Sequence, residues 1–142
     1  PVHVEFRIGP DRAPTFLEVA ARTIGGRCAS MLTFHDGTTL EELVLRQALG
    51  LPFDPRREAA SVGVWMVPVT ERGVVRAVDG VDAARALDGV EEVVVDVVPG
   101  EAVEPLPRGG RYLGFVFARS DHPAAVVAAL HKAATTIRIS TG

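Results

Sequence analysis

Glu18, Arg22 and the pair Gly25-Gly26 are the residues whose types and spacing could carry chemistry. They lie in the stretch Pro14-Thr15-Phe16-Leu17-Glu18-Val19-Ala20-Ala21-Arg22-Thr23-Ile24-Gly25-Gly26. A carboxylate inside a short apolar strand costs free energy unless a metal ion or an arginine pairs with it. At the end of a strand facing a cleft, Glu18 could bind Mg2+ through oxygen. Arg22, planar and always charged, suits a phosphoryl or acyl-phosphate oxygen. Gly25-Gly26 could bring backbone N–H groups close to a substrate. The plainer alternatives are an ion pair between Arg22 and Glu18 or Glu5, and a simple glycine turn, and residue types alone leave them open.

These residues need a scaffold, and the flanking pattern supplies one. Residues 2–8 alternate, with Val2, Val4, Phe6 and Ile8 on one face and His3, Glu5 and Arg7 on the other. Thr15 to Val19 reads as a second strand, paired with the first across a turn at Gly9-Pro10-Asp11-Arg12. Glu5 then has two readings: a companion to Glu18, or part of an exposed polar face. Thr38 or Thr39, with Glu41 or Glu42 three residues on, offers a capping box for a helix that Gly50 and Pro52 end. Residues 52–58, with two prolines and Arg56-Arg57, read as a linker. The expected domains are therefore 1–54 and 55–142.

The second half has a different texture. Strands are expected at 61–69, 73–78, 91–98 and 111–119, and helices at 81–87 and 123–135. Residues 101–110 read as a loop, and 137–139 as a last strand or a tail. Pro123 suits a first helical position. The fold class is α+β: a hairpin plus a helix, then a small domain with a mostly antiparallel sheet and helices on one face.

Composition excludes several classes. The chain has 142 residues, 47% of them hydrophobic, and a net charge of −3, so nothing electrostatic favours nucleic acid. No apolar run has membrane-spanning length, and no charged n-region is followed by an apolar h-region. The single Cys28 forms no intrachain disulfide, which suits a reducing cytoplasm; it reads as a structural thiol rather than a pocket lining. His3, His35, His122 and His131 share no spacing that implies a metal site, and His35-Asp36 reads as a turn. Trp65-Met66 reads as core. Pro1 opens directly into a strand pattern with no Met, which suggests a fragment.

The stretch from Glu18 to Gly26 resembles the last motif of the ATP-grasp ligases, a strand ending in Glu, then an apolar residue, Asn, Pro, Arg, two variable residues and Gly-Gly. Ala20 stands where the family has Asn, which removes one expected ligand. Residues Arg72 to Arg76, Asp79-Gly80-Val81, Val98-Pro99-Gly100 and Gly110 to Arg119 resemble the C-terminal domain of the L-amino-acid-ligase branch, and more distantly the tail of biotin carboxylases.

The resemblance implies that residues 1–54 end an ATP-grasp catalytic domain. It implies Glu5 and Glu18 as magnesium ligands, Arg22 as catalytic, and Gly25 and Gly26 near cofactor or substrate. ATP and Mg2+ are the implied cofactors, and a small carboxylate and an amine the implied substrates. Lys132 is the only lysine, so the phosphate-binding lysines and glycine-rich loop of such enzymes are not among these residues. The isolated chain is expected to be inactive. An uncovered sheet leads to a rival expectation: a self-associating interaction module. A biotin-carboxylase-like fragment is a third, disfavoured because Thr23-Ile24-Gly25-Gly26 replaces that branch's run after Arg.

Overall fold

The computed structural model describes all 142 residues, Pro1–Gly142. They form two compact units, Pro1–Glu58 and Ala59–Gly142. The division falls after Glu58 rather than after Asp54, for a physical reason. Residues 56–58 are bonded back to the first unit: the His35 N–H donates to Arg56 O, the Glu58 N–H to Thr33 O, and the Thr33 hydroxyl to the Glu58 carboxylate at 2.6 Å.

In the first unit β1 (His3–Ile8) and β2 (Pro14–Ala20) form an antiparallel hairpin. A single 3-10 turn at Cys28–Met31 and another at His35–Gly37 lead to α1 (Leu40–Ala48). Thr39 is the cap of α1, its hydroxyl accepting from the Glu42 N–H at 3.2 Å. Gly50, at φ 67°, closes the helix, with the Leu51 N–H on Arg46 O.

The hairpin ladder pairs Glu5 with Glu18, then skips Leu17 to pair Phe6 with Phe16. This bulge decides which side chain goes where. Strand alternation alone would put Phe16 and Glu18 on one face. One extra residue between them lets Phe16 join Phe6, ring centroids 6.0 Å apart, while Glu18 stays beside Glu5. The apolar face of Val4, Phe6, Ile8, Phe16 and Val19 is 40% to 61% exposed.

The second unit is built from β3 (Ser61–Val67), β4 (Gly73–Asp79), α2 (Val81–Arg85), β5 (Val90–Val95), β6 (Ala102–Val103), β7 (Gly114–Ser120), α3 (Pro123–Thr136) and β8 (Arg138–Thr141). Two three-stranded sheets form, ordered β3-β7-β5 and β6-β4-β8, with every pairing antiparallel. The α+β class holds, with two small sheets in place of one. Residues 138–141 are a strand rather than a tail, because Val78 and Asp79 of β4 pair with Ile139 and Arg138.

β7 is central to its sheet, and its first five residues are buried. Val116, fully buried, packs with Val93, Ala84 and Ala133, so strand and helix side chains close one core. Val67, Val75, Val97, Val103 and Leu113 form another, and Trp65 touches both. Trp65 is thus core. Gly63 lets α3 approach: a Cβ there would stand 2.7 Å from Val126 Cγ1. No helix is long and apolar enough to cross a membrane.

Candidate metal centre

The hairpin brings Glu5 and Glu18 directly opposite one another on the ladder, and residues opposite in this way point to the same face. Two like charges so placed repel, which a cation between them would relieve. Both carboxylates are about half exposed, at 48% and 52%. Arg22 reaches back to Glu18, its Nη2 3.6 Å from Glu18 Oε1, while its Nη1 donates to Thr23 O at 3.0 Å. An exposed pair at that distance contributes little, so the Glu18 carboxylate stays available.

Gly26 adopts φ 63° and Arg27 φ 56°, so the chain turns sharply just after Arg22. The Cys28 N–H donates to Gly25 O at 3.2 Å. Cys28 is a free, half-buried thiol whose pKa is raised, chiefly by burial.

His3 is the residue that spacing alone did not assign to this site. Its ring nitrogens and the carboxylate oxygens of Glu5 and Glu18 offer one ligand atom each, all within 4.8 Å of one another. The His3-Val4-Glu5 alternation carried the signal, since residues two apart on a strand share a face. The donor set suits a divalent cation. Magnesium takes one or two carboxylates and completes its shell with water and substrate phosphates, which Glu5 and Glu18 can satisfy even though Ala20 contributes no ligand.

A separate cleft of about 460 Å³ lies in the first unit, lined by His35–Thr38, Glu42, Arg46 and Pro52–Asp54. Its charges are paired among themselves: Arg46 with Glu42 at 2.7 Å, His35 with Asp36 at 2.9 Å, and Asp54 with Arg56. Hydrogen bonds from the Arg56 side chain, then from its backbone N–H, lower the Asp54 pKa from 3.8 to about 2. A lowered carboxylate pKa means that the stabilisation is present above pH 3.8 and lost as pH falls from there through about 2. An NMR titration is expected to place the Asp54 midpoint near 2 and to return it towards 3.8 in Arg56→Gln. A wild-type midpoint already at 3.8 would contradict this account.

The chain resembles three solved structures over 99% of its length. L-amino acid ligase from Bacillus licheniformis is 25% identical, with a TM-score of 0.79. N5-carboxyaminoimidazole ribonucleotide synthetase from Thermotoga maritima and phosphoribosylglycinamide synthetase from Anaerococcus prevotii are 15% and 11% identical, with TM-scores of 0.66 and 0.72; they share the fold. The chain spans 36% to 37% of the length of these proteins. Among curated proteins no sequence matches it. The model of L-amino acid ligase C-terminal domain 2 matches residues 65–142, more than half of the chain. The chain belongs to that family, as the pattern from Arg72 to Arg119 implied.

Proposed function

We propose that these residues form the terminal portion of a cytoplasmic ATP-grasp carboxylate–amine ligase. Residues 1–58 would end the catalytic domain and the remainder would form its C-terminal domain. The observation that supports this most is the ladder pairing of Glu5 with Glu18, with Arg22 on the second carboxylate.

In this reading Glu5 and Glu18 would hold magnesium where the nucleotide phosphates bind. Magnesium, when bound, offsets the charge on the transferring phosphoryl group. The carboxylate substrate would take the terminal phosphoryl group of ATP, with release of ADP, and the amine would then attack the acyl phosphate with release of phosphate. Arg22 releases Glu18 and turns its guanidinium to the transferring phosphoryl oxygens, a short movement for an exposed side chain. The left-handed turn at Gly26 aims backbone N–H groups of the Gly25-Gly26 segment at the substrate.

ATP contacts in such enzymes need phosphate-binding lysines and a glycine-rich loop, which these residues do not supply. Calorimetry on the 142-residue chain should therefore show no MgATP binding. Joined to a nucleotide-binding portion, the same residues should support phosphate release that requires ATP, carboxylate and amine together. Micromolar MgATP binding by the chain alone, or phosphate release indifferent to the amine, overturns the proposal.

A second reading, a non-catalytic module that self-associates, draws on the exposed apolar face of the hairpin. The same phosphate-release assay separates the two.

A further inference from the structure

We infer that β3 is a dimer seam: its open edge pairs antiparallel with β3 of a second copy of this chain, joining two three-stranded sheets into one. This surface belongs to the second unit, and neither the cation site nor the hairpin face is part of it.

β3 (Ser61–Val67) has β7 on one side only. The row of N–H and C=O groups along its other side has no strand partner. Such an edge is a template for another strand, and proteins usually blunt it with charge, proline or brevity. The other outer strands of this unit are blunted: β5 carries Glu91 and Glu92, β8 carries Arg138, and β6 has only two residues. β3 is seven residues long, Ser-Val-Gly-Val-Trp-Met-Val, with no charge and no proline.

A second observation falls on the same edge. A cleft of about 290 Å³ lies between β3 and α3, lined by Val64, Trp65, Val127, Leu130, His131 and Ala134. The four α3 residues stand three or four apart and so form one stripe along the helix. Val127 within it is 52% exposed. A strand added to a sheet edge gains main-chain hydrogen bonds there and lodges side chains in a cleft of this kind.

Charge and register select a second copy as that strand. Only His131 in the lining can carry charge, so two identical surfaces meet without carboxylates or guanidinium groups opposed, as a two-fold interface requires. With the axis at Val64, the middle residue of β3, Gly63 of one copy stands opposite Trp65 of the other. A Cβ on Gly63 would point at Val126 and Leu130, so both residues lie on the face towards α3. An aromatic side chain opposite a strand glycine covers backbone that the glycine leaves bare. The two clefts then close against each other and exclude water.

The test is sedimentation equilibrium on the 142-residue chain, in reductant so that Cys28 forms no cross-link. A reversible dimer with a Kd of about 1 to 100 μM is expected. Dilution through that range should shift the emission of Trp65, the only tryptophan, to the red. Deuteration at Ser61–Val67 should slow as concentration rises, while Val90–Val95 stays unchanged. Val127→Glu, at an exposed helix position, should weaken association by at least about tenfold and leave the melting temperature of the dilute monomer unchanged. Ile8→Lys, on the exposed hairpin face, should leave the dimer intact. A native chain that stays monomeric at about 1 mM overturns the inference and leaves the edge to a strand of another protein. A dimer that survives Val127→Glu, or that Ile8→Lys dissolves, overturns it as well.

Discussion

Replacing Glu18 by Gln is expected to lower turnover of a ligase that carries this segment by about 100- to 1000-fold, the range for removing one group that stabilises developing charge. The substitution keeps shape and hydrogen-bonding capacity but removes the negative charge that, on the proposed reading, holds the cation. Folding should be nearly untouched, because the side chain is half exposed and its pairing with Arg22 at 3.6 Å is weak. A steady-state assay, with a thermal melt of the same preparation, checks the split between activity and stability. Turnover within about threefold of the native enzyme would remove Glu18 from the reaction, since a lost charge stabiliser should exceed that. Glu5→Gln should behave alike. The double variant should lose less than the product of the two effects, because on the proposed reading both carboxylates act on the same metal site.

A large stability effect is expected at Gly114. This residue lies at the start of β7, opposite Val67 of β3 and Val95 of β5. A Cβ there would run into the carbonyl oxygen of Val94. That atom belongs to backbone laddered to β7 and cannot swing away as a side chain can. Gly114→Ala should therefore destabilise the second unit by about 3 kcal/mol, the upper range of overpacking. Its melting temperature should fall by more than about 10 °C. Gly110 offers an internal control, with open space where its Cβ would be and no left-handed backbone. Gly110→Ala should stay within about 0.5 kcal/mol of the native chain. Equal melting temperatures for both variants would mean that the β5–β7 ladder is looser than described.

What could be read beforehand follows from the range of each interaction. The strands and helices were legible because alternation, caps and glycine stops are local signals. Thr39, Gly50 and Pro123 each mark an end by their own chemistry. The C-terminal family resemblance was legible from the run ending at Arg119. The pairing of Glu5 with Glu18 was half legible. Alternation put Glu5 on the polar face, but the bulge at Leu17 that holds Glu18 opposite it has no signature in that segment. A strict two-residue period would have sent Phe16 to the carboxylate face. The proximity of His3 to Glu5 follows from strand alternation, but its closeness to Glu18 depends on the same bulge. β6 was hidden because two residues carry almost no pattern, and their partners Gly73 and Val74 are distant in sequence. Residues 56–58 looked like a linker by composition, and only their bonds to Thr33 and His35 draw them into the first unit.

The central position of β7 sets how the second unit opens. β3 and β5 each lean on it from one side, and neither has another neighbour in that sheet. Outer strands can fray singly while the middle ladder survives, but the middle ladder cannot open without releasing both. Amide deuteration should therefore proceed in two regimes. Outward-facing N–H groups of Ser61–Val67 and Val90–Val95 should exchange through small local openings. Those of Phe115 to Ala118 should wait for the unit as a whole, and their rates should report its total free energy of unfolding.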